Sequence, residues 1–192
     1  LIRSETVEPG GKFEIRINDV KIYAIGSNWV PLDVYHSRDK EKYKKAIELA
    51  CDIGCNILRC WGGNVYEDDE FFDLCDEKGI MVWQDFAMAC HFYPQSDNFA
   101  RKIRNEVISV AKKLRNHASL ILWCGDNEVD SLCGMKNFKP SINAVTRKVI
   151  PKELIKIDPL RPYLPSSPFV SDKVAKLGAE FAPEAHLWGV RD

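Results

Sequence analysis

The sequence lacks the features that mark several large classes of protein. Its 27 basic residues nearly cancel its 28 acidic ones, so no broad positive charge favours a nucleic acid or an anionic membrane surface. No apolar run is long enough to span a bilayer, and the first residues, LIRSETVEPGG, lack the apolar centre of a signal peptide. We therefore expect a soluble chain that binds neither nucleic acid nor membrane.

Disulfide and metal patterns are also missing. The seven cysteines are an odd number and are scattered through apolar stretches, which does not suit a framework of paired disulfides. No CxxC pair occurs, and Cys51 and Cys55 have no histidine nearby that would complete a tetrahedral metal site. We expect buried free thiols, a reducing cytoplasmic compartment, and neither a metal nor another cofactor.

Strand-like and helix-like segments alternate along the chain. The stretch FEIRINDVKIYAIG alternates apolar and polar residues around Asn18-Asp19, which predicts a hairpin whose second arm continues into GSNWV as the first strand of a larger sheet. The later apolar runs with strand character are NILRCW, IMVWQDF, SLILWCG and RPYLP. Helical spacing fills the intervals between these predicted strands.

Apolar residues at helical spacing mark the helices. The first is predicted between Ser37, as its N-cap, and Gly54, and the second ends at Gly79. Ser141 opens a further helical region, which Pro151 is expected to kink or split. A longer helix between these carries its apolar stripe on Phe99, Ile103, Val107, Val110 and Leu114.

Strands separated by single helices predict an α/β fold with a parallel sheet, either an open doubly wound sheet or a barrel. No GxGxxG or GxxxxGK[ST] loop is present to hold nucleotide phosphates, and polar residues gather after the strands, so we favour a (β/α)8 TIM barrel. A complete barrel takes about 250 residues. We expect one partial catalytic domain over 1–192, with lead-in and hairpin at 1–18, and five strands plus a sixth near HLWGV within 19–192.

Four strand ends combine polar and aromatic residues. They are NW at 28–29, RCWGGN at 59–64, WQDF at 83–86 and WCGDNE at 123–128. Parallel strands share one carboxyl edge, so these groups are expected to face one rim. Sugars offer hydroxyls to carboxylates and amides, and an apolar C–H face to aromatic rings. The combination predicts a carbohydrate-binding pocket.

Five segments resemble the β-mannosidase branch of glycoside hydrolase family 2. They are GSNWVPLD, NILRCWGGNVYEDDEFFDLCDEKGIMVWQDFAMAC, NHASLILWCGDNE, DPLRPYLPSSP and HLWGV, in the family's order, from about residue 12 to residue 190. WQDF and WCGDNE are the most specific of these motifs. The resemblance implies a retaining exo-glycosidase that hydrolyses terminal β-linked mannose, in a parent enzyme whose remaining domains are partners of this chain.

The resemblance also implies roles for individual residues. Glu128 is the acid/base, which protonates the glycosidic oxygen and then activates water, and Asn127 hydrogen-bonds the sugar 2-hydroxyl. Asp85 has an ion pair as its alternative role, and His186 has helix packing or a surface position. The further positions expected to contact or shape the substrate pocket are Trp61, Asp85, His186 and Trp188.

The chain departs from the family pattern in several places. The family usually has Asn at the position of Asp126, commonly Asp at that of Glu184, and often a tryptophan shortly after the acid/base, where this chain has SLCGMKNF. The nucleophile of the family is a glutamate downstream of HLWGV. We therefore expect this chain to carry the acid/base without the nucleophile.

Two other functions remain open on the sequence alone. One is another family 2 exo-glycosidase, such as a β-galactosidase, β-glucuronidase or exo-β-glucosaminidase. The other is a non-catalytic sugar-binding fragment, which would keep the tryptophans and need no nucleophile.

Overall fold

Two β-sheets form the scaffold of the computed structural model, which describes residues 1–4, 12–177 and 181–186. An antiparallel sheet has the order β1-β2-β3, with strands Ile2–Ser4, Lys12–Ile17 and Val20–Ile22. A five-stranded parallel sheet has the order β4-β5-β6-β7-β8, with strands Gly26–Trp29, Ile57–Cys60, Met81–Asp85, Leu120–Cys124 and Tyr163–Leu164. The α/β class with a parallel sheet is confirmed. Closure into a barrel stays a prediction.

The predicted hairpin is present, but its second arm is shorter than expected. Asn18 and Asp19 both have positive φ, 48° and 65°, as a two-residue type I′ turn requires. The arm ends at Ile22, and β4 begins separately at Gly26, so the prediction of one continuous strand is wrong. The reason lies in Asn56, whose side chain accepts a hydrogen bond from the backbone N–H of residue 25 and donates one to the carbonyl of residue 23, which draws the chain toward β5.

Helices cover one face of the parallel sheet with an apolar layer. The helices of this layer are α1 Lys40–Asp52, α2 Asp69–Lys78, α3 Asp97–Leu114 and α5 Ile150–Ile157, whereas the short helix α4 Val129–Met135, which follows β7, contributes no residue to the buried cluster of this layer. Alternate strand residues, such as Leu58, Cys60 and Val82, join one buried cluster with residues of α1 to α3 and α5. None of the helices in the described ranges is long and apolar enough to cross a membrane.

Helix ends agree only partly with the sequence analysis. Gly79 ends α2 in the left-handed conformation, with φ of 69°, as predicted. Ser37 is not the N-cap of α1, because it lies inside a 3-10 turn, His36–Arg38, and Asp39 takes the cap position. The apolar stripe predicted for α3 is buried from Ile103 onward.

The region after Ser141 departs most from the prediction. Ser141 lies in a 3-10 turn, Pro140–Ile142, and a π-helical stretch, Val145–Val149, leads directly into α5. Pro151 lies in the first turn of α5, directly after the π-helical stretch, and cannot donate a hydrogen bond back to that stretch because it lacks an N–H. The predicted break is therefore a change of helix type. Helix α4 was not predicted from the sequence, and the sixth strand expected near HLWGV lies outside the described residues.

Strand β4 generates a prediction about association. In the described part of the chain it pairs with β5 alone, and its residues Gly26, Ser27 and Asn28 are exposed. An unpaired strand edge offers free N–H and C=O groups to another chain. We expect the 192-residue chain to self-associate, as measured by sedimentation velocity. The substitution Ile25→Lys places a charge beside this edge and should reduce the association. A monodisperse monomer at all concentrations would contradict the argument.

Candidate active site

The carboxyl edge of the parallel sheet brings together most of the residues singled out above. Trp61 follows β5, Asp85 ends β6, and Asn127 and Glu128 follow β7. The adjacent strands run parallel in register, so their carboxyl ends meet at one edge. Gly62 lies so close to the loop after β6 that an added Cβ would be 1.9 Å from the Met88 carbonyl oxygen. Only glycine fits there, which keeps these loops in contact.

Backbone hydrogen bonds bind the segment after β7 to the loop after β6. The N–H of Asn127 donates to the carbonyl of Met88 over 2.9 Å, and the N–H of Cys90 donates to the carbonyl of Asn127 over 2.8 Å. Parallel pairing between these loops therefore continues beyond the strands, with Ala89 opposite Asn127.

The loop after β8 binds the same segment from its other side. The N–H of Ser167 donates to the carbonyl of Asp126 over 3.0 Å, and the N–H of Glu128 donates to the carbonyl of Ser167 over 2.9 Å. Glu128 itself has φ of 63° and ψ of 12°, a left-handed conformation that is uncommon outside glycine. The neighbouring loops thus hold Glu128 in a conformation that it would rarely adopt alone.

The Glu128 carboxylate lies between a histidine and a thiol. Its Oε1 is 2.6 Å from Nδ1 of His186, and its Oε2 is 3.4 Å from the Sγ of Cys90. The side chain is 21% exposed, so it is sheltered yet accessible. Cys90 also lies 3.2 Å from the Nδ2 of Asn127.

Asp85 is fully buried and already bound. Its Oδ2 is 2.7 Å from Nη2 of Arg59 and accepts a hydrogen bond from the N–H of Gly62 over 2.9 Å. Burial raises the pKa of Asp85, and the Arg59 guanidinium opposes that rise. The ion pair considered as the alternative role is therefore present. A direct contact between Asp85 and substrate stays a prediction.

The aromatic positions divide into two groups. Trp61 packs on Gly63, where an added Cβ would lie 2.3 Å from the indole ring, and its buried Nε1 has no acceptor among the described residues. Trp29, part of the NW motif, is instead buried and donates to Glu67 over 2.9 Å, so it belongs to the core. Trp188 lies outside the described residues.

Asp126, where the family usually has Asn, is buried beneath the site. It accepts hydrogen bonds from the N–H of Val129 over 3.2 Å and from Nδ2 of Asn143 over 3.0 Å, and it contacts the Ser166 hydroxyl. Burial, with the carboxylate of Asp130 adding to it, raises the pKa of Asp126 from 3.8 to about 8. The raised pKa favours the uncharged acid, which, like the asparagine of the family, carries no net charge.

Two ion pairs that the sequence analysis missed brace the surrounding loops. Arg147 binds both oxygens of the buried Asp130, over 2.9 and 2.7 Å. Glu184 accepts hydrogen bonds from the N–H of Phe169 over 2.7 Å and from Nε of Arg3 over 2.9 Å. Glu184 is two residues before His186, so the second pair anchors the segment that reaches Glu128.

Cys90, Ser167 and Arg59 also contact the site residues without having been predicted individually. Each lies inside or beside a motif that carries the family resemblance: FAMAC, PYLPSSP and NILRCW. Their location in these motifs was the one sequence feature that could have indicated their presence at the site. Their contacts with Glu128 or His186 join loops from different strands, which spacing along one segment does not reveal.

Two other features do not include Glu128 itself. A cavity of about 570 Å³ between the hairpin and the sheet is lined by Phe13, Tyr23, Arg59 and Trp83 among others. In the described ranges, Asp73, Asp76 and His117 place potential metal-ligand atoms within 4.8 Å of one another. Asp76 already accepts hydrogen bonds there from the backbone N–H of Ser119 and from His117.

Comparison with known proteins gives a consistent set of relatives. No protein-family model matches the sequence. A curated β-mannosidase of Capra hircus is 38% identical over 171 residues, which cover 83% of this chain and 20% of the relative. A β-mannosidase B of Aspergillus clavatus is 35% identical over 197 residues, covering 94% and 23%. The chain thus spans about a fifth of the length of these curated relatives.

Solved structures agree with the sequence relatives. The crystal structure of a β-D-mannosidase from Dictyoglomus thermophilum has a TM-score of 0.78 and 37% identity, covering 93% of this chain and 23% of that chain. A β-glucuronidase of Bacteroides uniformis, at 20% identity and a TM-score of 0.62, covers 76% of this chain and 19% of that chain. The second likeness shows a shared fold alone.

The buried Asp126 generates a prediction about stability and pH. Its pKa is raised in the folded state, so the stability that it contributes is complete below pH 3.8 and is lost as the pH rises toward about 8. Asp126→Asn keeps the shape and removes the ionisation. The free energy of unfolding in urea is measured for both proteins at about pH 5 and about pH 9. Relative to the wild type, the free energy of unfolding of the variant should be higher at about pH 9 than at about pH 5, by at least about 1 kcal/mol.

Asp52→Asn, at an exposed position of α1, serves as the control for that measurement and should keep the wild-type pH dependence. Identical pH dependence in Asp126→Asn and the wild type would show that Asp126 is not held protonated by the fold.

Proposed function

We propose that this β-mannosidase-like chain of glycoside hydrolase family 2 supplies the acid/base of a retaining exo-glycosidase acting on terminal β-linked mannose. The observation that carries the proposal is the Glu128 carboxylate, fixed at the carboxyl edge of a parallel sheet and bounded by His186 and Cys90. Sequence similarity to β-mannosidases over more than four fifths of the chain supports the choice of sugar.

The proposed reaction proceeds by double displacement. Protonated Glu128 gives its proton to the glycosidic oxygen as the bond to the anomeric carbon breaks, and a nucleophilic carboxylate forms the glycosyl-enzyme. Glu128, now ionised, takes a proton from the water that hydrolyses this intermediate. The two carboxyl groups of retaining enzymes lie about 5 to 5.5 Å apart. We place the nucleophile downstream of HLWGV, so the 192-residue chain by itself should not hydrolyse aryl β-mannosides.

Neighbouring groups are suited to binding a sugar. The Asn127 amide donates a hydrogen bond to the Cys90 sulfur, which is a weak acceptor. A sugar hydroxyl in place of the sulfur would accept a stronger hydrogen bond from this amide. We assign this amide to the 2-hydroxyl. The Trp61 indole offers an apolar face for sugar C–H groups. Trp188 is proposed to complete the wall of the pocket.

The wider setting is also a proposal. Five parallel strands in chain order, with the acid/base at their carboxyl edge, suit part of a (β/α)8 barrel completed by the rest of a longer enzyme. All seven cysteines are free, and four of them are buried, which suits a reducing cytoplasm. No cofactor is needed for the proposed chemistry.

Two alternatives can be separated by experiment. One is another family 2 exo-glycosidase, such as a β-galactosidase, β-glucuronidase or exo-β-glucosaminidase. A panel of aryl glycosides, tested on the complete enzyme, distinguishes the sugars. Sugar binding without hydrolysis by the complete enzyme would instead indicate a non-catalytic sugar-binding protein.

Glu128→Ala in the complete enzyme tests the assignment. The variant should lose about a hundredfold or more in kcat/KM for substrates with poor leaving groups, and far less in kcat/KM for activated aryl mannosides, because this ratio reports the first step, in which only the former need a donated proton. Azide should restore part of the turnover by attacking the glycosyl-enzyme without a base.

Glu48→Ala, which removes an exposed carboxylate of α1, is the matched control and should behave as the wild type. Equal loss on both kinds of substrate, with no rescue by azide, would show that Glu128 is not the acid/base.

A further inference from the structure

We propose that His186 is a positioning residue that donates its Nδ1–H to Oε1 of Glu128 and thereby leaves the catalytic proton on Oε2. This inference rests on the proposed role of Glu128 as acid/base and adds which oxygen performs it. It also gives His186 a role through the carboxylate, distinct from contact with the sugar.

The contacts of the imidazole decide where its hydrogen lies. Nδ1 is 2.6 Å from Oε1 of Glu128, whereas Nε2 is 3.0 Å from the Ser167 hydroxyl and 3.5 Å from Nη1 of Arg59. A guanidinium has donors and no acceptor, and a neutral imidazole has one of each. Nε2 is therefore best used as the acceptor, with the Ser167 hydroxyl donating to it. The hydrogen then lies on Nδ1, directed at Oε1.

The other protonation states fit these neighbours less well. An imidazolium would keep the Nδ1–H but would add a hydrogen on Nε2, which would face the Nη1 donor of Arg59 at 3.5 Å. A hydrogen on Nε2 would face the donors of Arg59 and turn the bare Nδ1 toward an ionised oxygen only 2.6 Å away. The Nδ1–H form is the one that satisfies every neighbour during the step in which Glu128 is ionised.

The two carboxylate oxygens of Glu128 therefore have different roles. Oε1 is occupied by the strong donor of His186, whereas the partner of Oε2 among the described residues is the Cys90 thiol at 3.4 Å, a weak one. In the acid form the proton therefore resides on Oε2 and passes from it to the glycosidic oxygen. In the base form Oε2 takes a proton from water, and the bond from His186 to Oε1 persists through both steps.

The position of His186 is built into the fold. Glu184 ties the same segment to the backbone of Phe169 and to Arg3, on strands or loops distant in sequence. Ser167, which contacts Nε2, also binds the backbone N–H of Glu128 through its carbonyl. The histidine and the carboxylate are thus held by a common loop, so their separation is fixed.

A pair of substitutions distinguishes the two ring nitrogens. The amide nitrogen of asparagine can occupy the place of Nδ1, whereas that of glutamine reaches the place of Nε2. In the complete enzyme, His186→Asn should retain kcat on substrates with poor leaving groups within about fivefold, and His186→Gln should lose about tenfold to a hundredfold. Both variants should lose much less in kcat/KM for activated aryl mannosides, because the first step on these substrates does not depend on the donated proton.

His117→Asn and His117→Gln form the matched control pair, because His117 precedes β7 at the end of the strand opposite Glu128. These two should not differ from each other in leaving-group selectivity, and thermal unfolding of all four variants checks that each is folded. Equal activity of His186→Asn and His186→Gln, or greater activity of the glutamine variant, would overturn the assignment of the hydrogen to Nδ1.

Failure of the proposed function is a separate outcome. If Glu128→Ala shows no selective loss on poor leaving groups, then Glu128 is not the acid/base and the inference about His186 falls with it. If Glu128→Ala shows that loss and the His186 pair does not differ, the function stands and the positioning role alone is wrong.

Discussion

Four backbone hydrogen bonds, made beyond the ends of the strands, determine where the proposed acid/base lies. Two of them tie Asn127 to the loop after β6, and two tie the flanking residues Asp126 and Glu128 to Ser167 after β8. A left-handed backbone at a residue other than glycine costs about 1 to 3 kcal/mol, so it persists only where neighbours determine it. Because bonds on both sides fix this segment, the carboxylate is placed before any substrate arrives.

Buried charges then hold the loops that supply those bonds. The Arg59 and Asp85 pair fixes the loop after β5 through Gly62, and the Arg147 and Asp130 pair fixes the start of α4. A buried ion pair contributes little net stability, since desolvation offsets its attraction. Its geometry is nevertheless demanding, because each charge left alone would be costly. We therefore infer that these ion pairs serve mainly to position the loops and contribute less to the stability of the fold.

The sequence was sufficient for those features that depend on local pattern. Apolar runs predicted the parallel strands, and the shared carboxyl edge of such strands predicted that Trp61, Asp85 and Glu128 would meet. Predictions from local pattern were wrong where a side chain distant in sequence determines the backbone conformation. Asn56, for example, ends the hairpin arm that was expected to continue into β4. The same limit explains the contacts missed at Cys90 and Ser167, each of which joins loops far apart in the sequence.

We propose above all that Glu128 gives its proton to the glycosidic oxygen of the leaving group. A crystal structure of the complete enzyme with an uncleaved β-mannoside, prepared with the nucleophile removed, tests it most directly. We expect Oε2 of Glu128 to lie about 3 Å from the glycosidic oxygen while Oε1 remains hydrogen-bonded to His186. A different carboxyl group at that oxygen, with Glu128 directed away from the sugar, would contradict it.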